Sequence, residues 1–388
     1  MWLNVSGNSQ YRPQVNQLKM SLADYDFHYQ QPDIDTICTD RDLVTREIHH
    51  PNDFYGQASI LKRFAGLPAD RPLKAVLEHA PLFSRYMWDH DRDADLAINL
   101  SVSQERGEMI SEISGKRSIP IGFGYYYAME VFKELHPTAC STQRKGSVVF
   151  PFKSTHVIKT NFDHADYAKR LMELPDEFHP IVCCIFWKDY LHGSHLPYQE
   201  AGIPVISAGH MFDHDFMLAF YDICRQFKYA ISNEMGSYVF LSVASGCPFF
   251  YFDSSEITRD IPEELLKNYC RNDTNFEAVN DFSKQLFAEP TDVILPEQQD
   301  FVDDILGKEF VQTKDEFRRV VQLAERYDRF MPLWKKTTLR RILPFPAYAT
   351  RKSKKLMAKF SRFFTGRLAS LNRKRKSVAK WFGRNKAA

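Results

Sequence analysis

Four short polar loops carry the residue types that could hold a phosphate-bearing ligand. Lys153-Ser154-Thr155-His156 follows the apolar run VVFPF, and Lys188-Asp189-Tyr190 follows IVCCIFW. Gly209-His210 follows IPVISA, and Asn233-Glu234-Met235-Gly236-Ser237-Tyr238 follows KYAIS. Gly236-Ser237 reads as a helix start, where free backbone N–H groups and a hydroxyl would converge on negative charge. Taken alone, Ser237 reads more simply as an N-cap. Four such loops on one sheet edge shift the reading toward a phosphorylated ligand. A fifth group lies nearer the N-terminus, where Lys74–Leu77 runs into Glu78-His79. A carboxylate beside an imidazole at a strand end suits a general base, against the plainer reading of a hydrogen-bonded surface pair.

Other candidates fall away. The seven cysteines (38, 140, 183, 184, 224, 247 and 270) include no CxxC spacing, so neither a zinc site nor a disulfide framework is expected. Cys183 and Cys184 read as small core residues in a reducing compartment. Asp213-His214-Asp215 fits an acidic helix start better than a metal site. Asp89-His90-Asp91-Arg92-Asp93 lacks calcium-loop spacing and reads as a solvated turn. There is no GxGxxG after a first strand, no Walker loop and no GxSxG elbow.

The elements that must position these loops alternate. Gly146–Ser154, Pro180–Trp187, Ile203–Ala208, Lys228–Ser232 and Pro248–Phe252 read as buried strands. His164–Leu174, Phe216–Phe227 and Gly236–Ser245 read as helices, the last stopped by Gly246. Alternation of this kind implies a parallel sheet in an α/β domain, with ligands at the carboxyl ends of its strands. A weaker pattern of the same kind precedes it. Ile34–Cys38, Lys74–Leu77, Leu96–Asn99 and Ser118–Ile121 are expected strands, and Ile48–Phe64 and Ser103–Ser114 expected helices. The polar stretch Lys133–Lys145 marks a boundary between residues 1–140 and 141–290, and a helical pattern closes the body over 291–334.

Charge divides the 388 residues more sharply than the formal total of +2 implies. Residues 1–334 hold 33 Lys and Arg against 49 Asp and Glu, whereas 335–388 hold 18 Lys and Arg and no acid. Within that tail, Leu356, Phe360, Phe363, Phe364, Leu368 and Leu371 recur at helical spacing among cations, the pattern of an interfacial membrane helix. Packing on the body or nucleic-acid binding are the rival readings of the tail, and nucleic acid is the less expected partner. The opening MWLNVSGNSQYRPQVNQ has no basic start before an apolar run, so no signal peptide is expected. The longest apolar runs have about seven residues, far short of the ~20 that span a bilayer.

The segments VVFPFKSTH (148–156), FHPIVCCIFWKDY (178–190) and PVISAGHMFDHDFMLAFYDICRQFKYAISNEMGSYVFLSVASGCPFFYF (204–252) together resemble the donor domain of GT-B glycosyltransferases. More narrowly, they are similar to proteins encoded in bacterial surface-polysaccharide clusters, distantly akin to sialic-acid and Kdo transferases. The likeness covers roughly residues 70–255. It implies two Rossmann-like domains, an acceptor side and a nucleotide-sugar side, and transfer of a sugar to a surface glycan or lipid-linked acceptor. It implies no bound metal or cofactor, since helix N-termini and side chains stabilise the departing phosphate. In that reading Ser154, Thr155, Gly236 and Ser237 bind phosphate, and Asn233 and His210 orient the donor. In the related sialyltransferases a His-Pro pair follows the second strand. Here His179-Pro180 precedes it, so Lys188 takes the leaving-group role, and His79 or Glu78 deprotonates the acceptor. The expected location is the cytoplasmic face of the membrane. A nucleotide-sugar epimerase on the same fold, or a scaffold acting through its tail, are the alternatives.

Overall fold

The computed structural model describes residues 22, 25–29, 33–78, 86–139, 143–154, 159–253, 256–260 and 274–336. His79, Thr155 and the amphipathic part of the tail therefore lie outside the described residues. Among the described residues, those up to Glu325 form one compact unit, and Arg326 onward belongs to a second.

The fold is α/β with parallel sheets. Ten strands are described: β1 Val76–Leu77, β2 Ile98–Ser101, β3 Arg117–Pro120, β4 Ser147–Val149, β5 Lys159–Asn161, β6 Ile181–Cys184, β7 Val205–Ile206, β8 Tyr229–Ser232, β9 Phe249–Tyr251 and β10 Thr258–Asp260. Strands β1-β2-β3 form a parallel sheet in that order. Strands β7-β6-β4-β8-β9 form a second, all-parallel sheet, and β5 pairs antiparallel with β10. All four residues of β6 are buried, as a strand covered on both faces requires.

The helices between them are α1 Ile34–Cys38, α2 Gln57–Ala65, α3 Asp89–Asp93, α4 Gln104–Ser114, α5 Gly124–Leu135, α6 His164–Met172, α7 Trp187–Leu191, α8 Leu196–Glu200, α9 Phe216–Cys224 and α10 Ser237–Ala244. Three more follow: α11 Thr274–Leu286, α12 Pro296–Ile305 and α13 Lys314–Lys336. Their limits have local causes. Ser103 accepts the Arg106 N–H to start α4, and Asp163 accepts from Ala165 and Asp166 to start α6. Gly115 (φ 68°) and Gly246 (φ 74°) close α4 and α10 in the left-handed conformation. Helix α5 packs on α2 beside the first sheet and on α9 beside the second. One apolar core, with Tyr125, Tyr127, Phe132 and Phe240 fully buried, runs across both.

Several expectations are corrected. Ile34–Cys38 is a helix, because Asp33 accepts the Asp35 N–H and the Thr36 hydroxyl and so caps it. The expected Ile48–Phe64 helix is a 3₁₀ turn, His50–Gly56, followed by α2, with a break at Phe54 and Tyr55. The break follows from Gly56, whose φ is 71° and whose missing Cβ would lie 2.2 Å from the His214 carbonyl oxygen. Asp89–Asp93 is not a solvated turn but α3, with Asp91 buried.

Candidate functional site

From β4 the chain steps outward through β6 to β7, then returns to place β8 and β9 on the other side of β4. The reversal lies between β4 and β8. At such a point the following loops part and leave a crevice beyond the carboxyl ends of the strands. Here the two loops are tied by the Phe152 N–H donating to Asn233 Oδ1 at 2.8 Å. The tie sets Lys153 on one side of the crevice and Gly236-Ser237 on the other.

Helix α10 starts at this crevice, no side chain caps it, and Ser237 is half-buried at its first position. Its leading N–H groups therefore carry the partial positive charge of a helix start. Three cations lie on the loops and elements that meet at this edge. Lys153 is half-buried, with its amine 4.3 Å from the Phe186 ring centre and 5.4 Å from that of Tyr55. Tyr55 holds a φ of 57°, a left-handed conformation uncommon for a bulky residue. Arg259 on β10 lies over the Phe152 ring at 4.9 Å and reaches Glu234 at 3.6 Å, and Lys284 on α11 meets Glu234 at 3.0 Å. Three cations thus stand near two carboxylates, Glu234 and Asp189, an excess of one positive charge that favours an anionic ligand.

The other expected residues are placed differently. Ser154 is buried, its hydroxyl accepts the Thr160 N–H at 3.1 Å, and its N–H donates to the Asp189 carboxylate at 3.0 Å. It ties the loop together, in place of the phosphate contact expected of it. Burial pushes the Asp189 carboxyl above its ordinary range, and the Ser154 hydrogen bonds and nearby Lys153 oppose that rise. Asn233 is buried and orients the loops, not a donor. Gly236 is extended, and its lack of a side chain is explained by the Tyr238 ring, whose Cε1 would lie 2.5 Å from a Cβ there. Lys188 is not on a loop but is the second residue of α7, following β6 and so off the switch point. Lys153 is the lysine that follows β4.

His210 sits beyond β7, about 10 Å from β4 at two strand spacings, and so is not at the crevice. It is fully buried against Trp187, ring centres 3.9 Å apart. Its Nδ1 accepts the Phe212 N–H, which puts the ring proton on Nε2, 3.6 Å from Asp40 Oδ1. Burial lowers its pKa, so the ring stays neutral.

Glu78 is corrected most clearly. One carboxylate oxygen accepts from Arg106 Nε at 2.6 Å and Nη2 at 2.5 Å, and the other accepts the Val102 N–H at 2.9 Å. Both oxygens hold the ends of β1 and β2 to α4, so Glu78 is a structural carboxylate and not a base. A different imidazole–carboxylate pair stands in the first half: His49 Nε2 lies 2.7 Å from Asp91 Oδ1, both buried. Forty-two residues separate the two, and no local pattern marks them. Among the described residues no group of three or more His, Cys, Asp or Glu could hold a metal ion, and no helix is long and apolar enough to cross a membrane.

No protein-family model matches this chain. No curated protein matches it either. The functional reading therefore rests on the geometry of the crevice.

Proposed function

We propose that the protein is a metal-independent glycosyltransferase of GT-B type. It moves a sugar from a nucleotide-activated donor to a surface-glycan or lipid-linked acceptor. The observation that carries the reading is the β4/β8 reversal, where an uncapped helix start follows β8 and Lys153 follows β4. A donor diphosphate seated there would gain charge as the glycosidic bond to it breaks. Fixed donors aimed at that charge stabilise the transition state more than the ground state. The α10 N–H groups and the Ser237 hydroxyl receive one phosphate, and the Lys153 amine receives the leaving oxygen. The first sheet belongs to the acceptor side, so the two halves correspond to two Rossmann-like domains, packed together through α5 and α9. Residues 335–388 hold the enzyme to an anionic membrane surface, each Lys or Arg near such a surface contributing about 1 kcal/mol. On this reading the enzyme works at the cytoplasmic face, where lipid-linked acceptors are built.

A thermal-shift and calorimetric screen of UDP-, GDP- and CMP-sugars tests the reading. One nucleotide class is expected to bind, and Lys153→Met is expected to weaken it roughly 10–100-fold, the scale of a hydrogen bond from a charged donor. Absence of binding by every nucleotide sugar to the folded protein overturns it.

A further inference from the structure

At the far end of the same sheet edge, beyond β7, the described residues line a second, open recess of about 200 Å³. Ser207 and Gly209 line it together with Asp213, Asp215, Phe216 and, from the segment that crosses the edge, Arg41. We infer that this recess binds a neutral, hydroxyl-bearing ring: a single sugar unit.

The charges argue for neutrality. Arg41 Nη2 pairs with Asp213 at 2.7 Å, and Arg63 pairs with Asp215 at 2.6 Å, so each carboxylate is matched by a guanidinium. An anion would meet Asp213 and Asp215 with no surplus positive charge to hold it, in contrast to the β4/β8 crevice. The pairs do not exhaust these groups. Arg41 has five N–H donors and gives one nitrogen to Asp213 and the Ile37 carbonyl. Asp213 has about four acceptor positions and uses them for Arg41 and the His210 N–H. The Arg41 and Asp213 side chains are 41% and 28% exposed, so their free positions face solvent.

Donor and acceptor thus stand side by side, and a hydroxyl is both at once. Adjacent ring hydroxyls can accept from Arg41 and donate to Asp213, whereas a phosphate would set its negative charge against Asp213 and Asp215. Phe216 adds an apolar face suited to the C–H side of a ring. A volume of about 200 Å³ admits a single ring. The recess also lies two strands from β4, about 10 Å along the edge from the crevice. Calling the ring the acceptor rests on the glycosyl-transfer reading, whereas its neutral, hydroxylated chemistry does not.

The test uses the full chain and ligand-observed NMR. The probes are methyl glycosides of glucose, galactose and mannose, with inorganic phosphate and glucuronate as anionic counterparts. At least one methyl glycoside is expected to bind saturably at millimolar concentration. Arg41→Met and the near-isosteric Asp213→Asn should each weaken it about tenfold or more. Lys153→Met should leave it unchanged. No glycoside binding up to about 100 mM, a hundredfold above a 1 mM Kd, overturns the inference. So does binding that ignores both substitutions, or phosphate and glucuronate binding in preference to the glycosides. Glycoside binding without nucleotide-sugar binding would refute the proposed function and keep this recess, and the reverse result would do the opposite.

Discussion

Replacing Glu78 by Gln separates a structural carboxylate from a chemical one. The substitution keeps shape and volume but removes the charge and exchanges one acceptor oxygen for an NH₂ donor. That NH₂ must face either the Val102 N–H or the Arg106 guanidinium, both of which are donors. Either the Val102 hydrogen bond is lost or the guanidinium is left beside a donor, at a place 5% exposed on the Glu78 side and 15% on the Arg106 side. Breaking a fully buried ion pair from one side costs ~3–5 kcal/mol. Arg106 keeps some contact with water and a hydrogen bond to the Tyr86 carbonyl at 3.4 Å, so a cost of about 2–4 kcal/mol is expected here. The assay is urea denaturation followed by tryptophan fluorescence. The midpoint should fall with an unchanged slope, as happens when native stability is lost without a change in the surface exposed. Arg106→Gln and the double variant complete a cycle in which the double loss is smaller than the sum of the single ones. Turnover per folded molecule should stay near the native value. An unchanged midpoint together with turnover lowered ~10²-fold or more would refute the structural assignment and restore Glu78 as a base.

Ser237→Ala should weaken nucleotide-sugar affinity by ~1–2 kcal/mol, measured by calorimetry, with an unchanged melting temperature; equal affinity would remove the hydroxyl from the phosphate site. His164, hydrogen-bonded to the buried Tyr198 hydroxyl, has its pKa lowered by burial from 6.5 to about 4. Its neutral form is favoured in the fold, so stability is fully present above pH ~6.5 and is lost as pH falls toward 4, by at most roughly 3 kcal/mol. His164→Gln should flatten that part of the stability–pH profile, and an unaltered slope would refute the assignment. Truncation after Trp334 should abolish co-sedimentation with anionic vesicles and leave the already weak binding to neutral ones unchanged; equal sedimentation of both forms with anionic vesicles would rule the tail out as the anchor.

The second sheet was legible because its strands are continuous apolar runs. Each expected strand contains an observed one, shortened because the ladder ends before the apolar run does. In PIVCCIFW, for instance, Cys184 is the last strand residue and Trp187 already opens α7. Hydrophobicity reports burial, and a helix start packed beneath a sheet edge is as buried as a strand. The same ambiguity turned Ile34–Cys38 into an expected strand, although Asp33 and Thr36 carried a capping signal. The loops after β4 and β8 were placed correctly at a sheet edge. Which of their residues face a ligand was not legible, because Ser154 and Asn233 have the residue types of ligands and spend them on Thr160 and Phe152. Glu78 with Arg106 and His49 with Asp91 are pairs made by tertiary packing, and no local spacing encodes them.

Least visible in sequence was the role of residues 33–63. This segment crosses the carboxyl edge of a sheet that begins more than eighty residues later, and it is clamped there at separate points. The Tyr190 hydroxyl donates to Asp35 at 2.5 Å, the Tyr55 N–H donates to the Met211 carbonyl at 2.6 Å, and Arg41 and Arg63 pair with Asp213 and Asp215. Gly56 then passes so close to the His214 backbone that no side chain fits. Clamping at both ends explains how Tyr55 is kept in a left-handed conformation beside Lys153, a cost of order 1–3 kcal/mol that the surrounding contacts must offset. It also brings Arg41 to the recess beyond β7. One segment therefore supplies a wall to each of the two sites, and fixing it once fixes both relative to the sheet. An enzyme joining two substrates needs that constraint, since small errors in their separation are costly to rate. A motif confined to either half of the chain could not have carried it.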